Sequence, residues 1–188
     1  MKKPKINYEL LKIMEEHNLF MSNKKHTSMP LLVSKEKPNH KTSLYVEQNL
    51  LADSSFGETS IDCEIRDKNP LNYSFQILSN KINNRVIARL DEGNGVHRNN
   101  LPHIPLAEQE VTTPHFHKYD KTGYFVAYKT DALSAYDEKP LDIEEGLRLF
   151  CEEERIESSS SALVEIQIKE EGALPIPQDT DPLNGIMF

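Results

Sequence analysis

The chain has 188 residues, of which 37% are hydrophobic and 28% charged, and its formal net charge is −8. This length predicts one domain with a modest core, and the composition excludes a fully disordered chain. No run approaches the roughly 18 apolar residues of a membrane-spanning helix, and the N-terminus lacks the apolar block of a secretory signal. We therefore expect a single cytoplasmic domain without a membrane partner.

The predicted elements begin with a short amphipathic helix. Residues 7–17 place apolar side chains at helical spacing, with Asn7 as the N-cap and Asn18 as the stop. Residues 21–41 are rich in Lys, Ser, Asn and Pro, which predicts a loop that contributes little to the core. The expected layout is a helix and basic loop over residues 1–42, an α+β domain over 43–157, and an edge strand with an extended tail over 158–188.

Alternating apolar and polar residues then predict four strands, separated by breakers such as Gly57 and Asn69-Pro70. Their short separations favour an antiparallel meander with one buried face. Asp142 to Ile156 predicts a helix whose apolar stripe covers the sheet, with Asp142 as its N-cap. The expected fold class is α+β, an antiparallel meander sheet covered by an N-terminal and a C-terminal helix. The four predicted strands are Ser43 to Leu51, Ser60 to Asp67, Asn72 to Ser79 and Asn83 to Asp91.

Histidines are concentrated in one segment, where four of the seven lie between residues 97 and 117. A glycine turn precedes the first of them, and Pro114 to Tyr119 predicts a strand. Because side chains two apart in a strand share a face, His115 and His117 should project together while Phe116 enters the core. This geometry would bring two imidazoles within a few ångströms of each other.

Paired imidazoles suit general acid and base catalysis. In RNA cleavage, His115 and His117 would act as acid and base, one taking the 2′-hydroxyl proton and the other protonating the leaving oxygen. His97 and Arg89 would assist, and Arg89, Arg98 or Lys118 would stabilise the phosphorane. This interpretation requires no metal or other cofactor.

Two other interpretations apply to the same histidines. They could bind a divalent metal, in which case the missing ligands would come from His97, His103 or Asp91, since one HxH pair is too few for a stable site. They could also be ordinary residues of a half-exposed strand, hydrogen-bonded to Asn99, Asp120 or Tyr119. We rank the metal site below acid–base chemistry.

Further side chains near this segment are predicted to bind RNA, because aromatic rings stack on bases and cations contact phosphates. Such residues are also common on ordinary strand surfaces. The predicted RNA-binding residues are Arg98, Lys118, Tyr119, Lys121 and Tyr124.

The same segment resembles an uncharacterised family of bacterial and prophage proteins. That family is marked by Arg-Leu-Asp, a turn, His-x-Asn and then Pro-His-x-His-x-Tyr. The chain has these motifs in order, as Arg89-Leu90-Asp91, the Gly93 and Gly95 turn, His97-Arg98-Asn99 and Pro114-His115-Phe116-His117-Lys118-Tyr119. It is more distantly similar to TumE-type toxins of toxin–antitoxin pairs. The second resemblance implies RNA cleavage.

Two functions follow as predictions. The first is a toxin-like or phage-borne protein that binds and cleaves RNA, with RNA or a ribonucleoprotein and a cognate antitoxin as partners. The second is a non-enzymatic phage or mobile-element protein that inhibits a host defence nuclease, as anti-CRISPR proteins do. The second prediction rests on the acidic region at residues 137–171. This region contains twelve acidic and four basic residues, and Glu152 to Glu154 form an uninterrupted acidic run.

Overall fold

The computed structural model describes residues 6–28, 30–37, 39–52, 56–82, 85–93, 95–102, 104–159 and 163–168. The helices are few and the strands many, so the predicted mixed α+β fold is confirmed; the cover of the sheet by two helices stays a prediction. The helices are α1 (Tyr8–Lys12), α2 (Met14–Ser22), α3 (Asp131–Ser134) and α4 (Ile143–Glu154), with short 3₁₀ turns at Arg66–Lys68, Asn80–Ile82 and Leu106–Glu108.

Strands account for most of the regular structure. The N-terminal ones are β1 (Lys25–Thr27), β2 (Leu31–Val33), β3 (Lys35–Lys37) and β4 (His40–Ala52). The central ones are β5 (Thr59–Ile65), β6 (Tyr73–Ser79), β7 (Arg85–Asp91), β8 (His97–Arg98) and β9 (Glu110–Val111). The last ones are β10 (His115–Tyr119), β11 (Phe125–Tyr128), β12 (Ile156–Ser158) and β13 (Ile166–Ile168).

Within the described residues, the main sheet has nine strands. Eight of them follow the order β11-β10-β7-β6-β5-β4-β1-β12, and the ninth, β3, pairs with β4. Pairing is antiparallel except between β1 and β12. The hairpin of β8 and β9 stands apart from this sheet, and so does the pair of β2 and β13. The order places β7 beside β10 although 23 residues separate them, so the histidine strand lies against the Arg-Leu-Asp strand.

Helix α4 packs on the sheet through aromatic contacts. The ring of Phe150 stacks on that of Phe75 with centroids 5.8 Å apart, and the Tyr73 hydroxyl donates to the carbonyl of Leu141. Gly146 permits this approach, since a Cβ there would lie 2.0 Å from the Tyr73 hydroxyl oxygen. The predicted cap is confirmed, because the Asp142 carboxylate accepts from the backbone N–H of Glu145.

The N-terminal region differs from its prediction in two ways. The helix breaks at Ile13 and continues to Ser22 instead of stopping at Asn18, although Asn7 caps it as expected. The loop predicted for residues 21–41 is wrong, because three strands lie there and Leu31 and Val33 are fully buried. Strands of three residues are too short to show the alternation that identifies a strand in a sequence.

The C-terminal region contains a strand where one is predicted. This strand, β13, pairs with β2 in a parallel ladder that is separate from the main sheet. The extended tail around Pro175 and Pro177 lies outside the described residues, as does His103. Across the described ranges, none of the helices has the length and apolar character needed to cross a membrane.

Candidate active site

The register between β7 and β10 assembles the core of the candidate site. His115 lies opposite Asp91 and His117 lies opposite Arg89. Directly opposed residues share a face of the sheet, so these four side chains project together. Phe116 points the other way and is buried in the core, as the alternation of the strand predicts.

A third imidazole reaches this face from the β8–β9 hairpin. The His97 ring centroid lies 4.7 Å from that of His117 and 5.6 Å from that of His115, and the latter two are 4.7 Å apart. One ring nitrogen of each histidine lies within 4.8 Å of those of the other two. His115 and His117 are buried, whereas His97 is half-exposed.

The carboxylate of Asp91 contacts several side chains of the cluster. Its Oδ2 lies 2.7 Å from Nη2 of Arg89 and 3.2 Å from Nε2 of His117, and its Oδ1 lies 3.5 Å from Nη2 of Arg66. Burial would raise the pKa of Asp91, but the hydrogen bond from His117 and the charge of Arg89 outweigh burial and lower it. Asp91 is therefore an ionised carboxylate at neutral pH, although it is only 3% exposed.

The contacts assign the protons on two of the imidazoles. Nδ1 of His115 lies 3.3 Å from the carbonyl oxygen of Thr112 and donates to it, which leaves a lone pair on Nε2. Nε2 of His117 lies between Asp91 and the guanidinium of Arg89, and only the carboxylate can accept a proton there. His117 then carries its lone pair on Nδ1, which is buried and has no hydrogen-bond partner among the described residues.

The histidines are neutral in this environment. Burial, together with the nearby imidazole of His117, lowers the pKa of His115 to about 4. Burial also lowers the pKa of His117 and that of His97. With Asp91 ionised and both Arg66 and Arg89 charged, the site carries a formal charge of about +1.

These side chains surround a small open pocket of about 180 Å³. Its described lining consists of Arg66, Arg89, Asp91, Val96, His97 and His115. A larger groove of about 780 Å³ lies beside Leu50, Phe56 and Thr59, and it shares no described lining residue with the histidine pocket. The histidine pocket is the candidate site because imidazoles and guanidiniums line it, although the groove has the larger volume.

Asn99 holds the histidine hairpin on the sheet. Its side-chain amide donates to the carbonyl of Ala127 at 2.9 Å and accepts from the Ala127 N–H at 2.6 Å, so it pairs with edge strand β11 as a neighbouring strand would. The backbone N–H of Asn99 donates to the carbonyl of Gln109 across the hairpin. These two hydrogen bonds fix the hairpin at Asn99, and they therefore also hold His97, two residues earlier, close to the sheet.

Replacing Asn99 with Ala is expected to release the hairpin while leaving the main sheet folded. Two hydrogen bonds to Ala127 disappear, each contributing about 1 kcal/mol, so the amide of Ala127 should exchange with solvent at least ~10-fold faster. Hydrogen exchange by mass spectrometry measures this, with Asn49→Ala on β4 as the control. Equal exchange in both variants would show that Asn99 does not anchor the hairpin.

The structure brings together the four residues predicted to be catalytic, Arg89, His97, His115 and His117. None of the five predicted RNA-binding residues lines the pocket in the described part of the chain. Arg98 pairs with Glu110, Lys118 lies over the ring of Tyr128, Tyr119 packs against Phe125, Lys121 is exposed, and the Tyr124 N–H donates to Asp120. Their role in binding RNA stays a prediction.

Sequence analysis missed two residues of the site. Arg66 follows β5 and reaches Asp91 from the other side of β6, and no motif marks it. Phe125 stacks on His117 with ring centroids 5.3 Å apart and an interplanar angle of 15°. Its place in the apolar and aromatic run from Tyr124 to Tyr128 was the one available signal.

The acidic run of α4 has internal partners. Glu152 pairs with Arg148, and Glu153 accepts from the Tyr128 hydroxyl at 2.6 Å. Glu154 is 3% exposed and interacts electrostatically with Lys25. The face that would mimic nucleic acid is therefore partly neutralised within the chain, and inhibition of a defence nuclease stays a prediction.

Comparison of the chain with family models, with curated proteins and with solved structures finds no match. The site and its geometry therefore carry the functional argument.

Proposed function

We propose that this protein cleaves RNA at the pocket between β7, β8 and β10. One observation carries the proposal: side chains from three separate parts of the chain contact a single buried carboxylate, and His97 from a fourth part lines the open pocket beside it. Buried polar groups are costly to assemble, and such clusters are characteristic of functional sites. The converging residues are Arg66, Arg89, Asp91, His97, His115 and His117.

The charge of the pocket suits a phosphodiester. Arg66 and Arg89 place two guanidiniums at its wall, and Asp91 balances only one of them. Guanidinium groups bind phosphate oxygens with paired hydrogen bonds and stabilise the extra charge of a phosphorane. An anionic substrate would complete the balance of charge in the pocket.

Neutral imidazoles can begin the reaction. When the 2′-oxygen of RNA forms a bond to the adjacent phosphorus, its proton must pass to a base, and a histidine lone pair can accept it. Asp91 fixes the orientation of His117, as the carboxylate of a catalytic triad fixes its histidine. The bond from phosphorus to the 5′-oxygen then breaks, and that oxygen needs a proton.

The donor of this last proton is the difficult part of the reaction. An imidazolium would have to persist beside two guanidiniums, while burial lowers the pKa of each histidine. His97 is the most exposed of the three and is the best placed to take a proton from solvent. The alternative is a general acid other than histidine, which would donate this proton to the leaving 5′-oxygen.

The test is incubation of the purified chain with total RNA and with a structured guide-type RNA, beside a His115→Ala/His117→Ala variant. We expect wild-type cleavage and a loss of about 100-fold or more in the variant. Circular dichroism of the variant controls for folding, since both histidines are buried. Unchanged cleavage by a folded double variant, or no cleavage by the wild type, would reject the proposal.

The cellular setting belongs to the same proposal. The resemblance to TumE-type toxins supports a toxin-like or phage-borne role with a cognate antitoxin as partner. Expression of the chain alone would test this, because a toxin should arrest growth and unchanged growth would contradict the role. A cognate antitoxin expressed with the chain should restore growth.

A further inference from the structure

The three imidazoles of the cluster, those of His97, His115 and His117, have the arrangement of metal ligands. Ligating histidines usually donate one ring N–H to a carboxylate or backbone carbonyl, and they bind the ion through the other nitrogen. His115 donates to the carbonyl of Thr112, and His117 donates to Asp91. Each therefore keeps one nitrogen lone pair, and that of His117 is buried without a partner in the described residues.

We propose that His97, His115 and His117 together bind one divalent first-row transition metal ion, with Zn²⁺ as the first candidate. The role of the ion in catalysis rests on the proposed RNA cleavage, whereas its binding does not. Imidazole nitrogens favour zinc and its neighbours over Mg²⁺ and Ca²⁺, which prefer oxygen ligands. Three protein ligands would leave a fourth position for water or substrate, as in catalytic zinc sites.

The present spacing is slightly wide for a bound ion. Nitrogen ligands of a tetrahedral zinc ion lie ~3.3 Å apart, whereas the three ring nitrogens lie within 4.8 Å of one another. His97 is half-exposed on a two-residue strand that follows the turn at Gly95, so it can close the difference. His115 and His117 are fixed in a central strand and define where the ion binds.

The charges around the ion determine what its fourth ligand would be. Asp91 is the one carboxylate in the described lining of the pocket, and it already pairs with Arg89. A divalent cation beside Arg66 and Arg89 therefore attracts an anion, either hydroxide or a phosphate oxygen. The site is suited to a metal ion that acts together with an anionic substrate.

Such an ion would supply a proton donor that does not require an imidazolium beside two guanidiniums. A metal-bound hydroxide accepts the 2′-hydroxyl proton as the new bond to phosphorus forms, and the resulting water returns that proton to the leaving 5′-oxygen. The hydroxide is regenerated, and no external co-reactant is needed. In this form the histidines hold the ion and do not themselves transfer protons.

Zn²⁺ alone is the probe for binding. Chelator-treated full-length protein is titrated with Zn²⁺ by calorimetry, and the absorption of added Co²⁺ reports tetrahedral coordination. We expect about one ion per chain and a rise in melting temperature of about 5–10 °C at a hundredfold excess over the dissociation constant. His97→Ala should weaken binding at least ~10-fold, whereas His40→Ala, at an exposed histidine of β4, should not.

Two results would overturn the metal site: no stoichiometric binding, or equal binding by wild type and His97→Ala. RNA cleavage by the same samples separates the two proposals. Cleavage at full rate after chelation would reject the metal ion in catalysis and support metal-free cleavage. One bound ion per chain without RNA cleavage would reject the proposed function and retain the metal site.

Discussion

Replacement of Asp91 with Asn is expected to reduce RNA cleavage by about 100-fold or more. The amide has the shape of the carboxylate but not its charge, so Arg89 and Arg66 lose their shared counter-ion. The hydrogen bond that fixes the ring of His117 weakens for the same reason. Because Asp91 orients the imidazoles, the effect should fall on the rate constant of the cleavage step more than on RNA affinity.

Single-turnover cleavage at saturating RNA measures this effect, with Asp62→Asn as the matched control. Asp62 lies on β5, and burial raises its pKa to about 7, so an uncharged amide resembles the protonated form that burial favours. We expect the control to cleave at the wild-type rate. An Asp91→Asn protein that also cleaves at that rate would show that the carboxylate does not organise the site.

Replacement of Lys25 with Met is expected to destabilise the protein by about 3–5 kcal/mol. Lys25 is fully buried, and its ammonium donates to the carbonyls of Met21, Asn23 and Glu154 at 3.2, 3.2 and 2.7 Å. These carbonyls lie at the C-terminal ends of α2 and α4, where a positive charge offsets the helix dipoles. Burial lowers the pKa of Lys25 to about 8, while the carboxylate of Glu154 favours its charged form.

Methionine fills nearly the same space as lysine, so the Lys25→Met variant removes the charge and the three hydrogen bonds while keeping the packing. Urea denaturation at pH 7 gives the free energy of unfolding. The control is Lys24→Met at the adjacent residue, whose side chain is 61% exposed and pairs with Glu157. Since exposed pairs contribute about 1 kcal/mol or less, equal destabilisation in both variants would contradict the buried role of Lys25.

The central sheet and the shared face of the histidines could be predicted from the sequence, because both depend on local alternation. His115, Phe116 and His117 alternate with a period of two, and the structure places the imidazoles on one face and Phe116 in the core. The cap at Asp142 followed from the same kind of local pattern. Where neighbouring residues determine a feature, its sequence pattern is informative.

The residues that complete the site depend on contacts between distant parts of the chain. Arg66 reaches Asp91 only because β6 lies between β5 and β7, and Asn99 reaches Ala127 only because the hairpin folds over β11. Likewise, nothing in Lys24-Lys25 indicates which lysine is buried, since pairing of β1 with β4 and β12 decides it. No local pattern carries this information.

The most direct test of RNA cleavage at the histidine pocket is a rate measurement on one RNA oligonucleotide with a mapped cleavage site. Wild-type protein is compared with His97→Ala and with His40→Ala, because both histidines lie outside the core and neither change should unfold the chain. We predict wild-type cleavage by His40→Ala and a loss of about 100-fold or more in His97→Ala. Equal rates for all three proteins would contradict a site in this pocket.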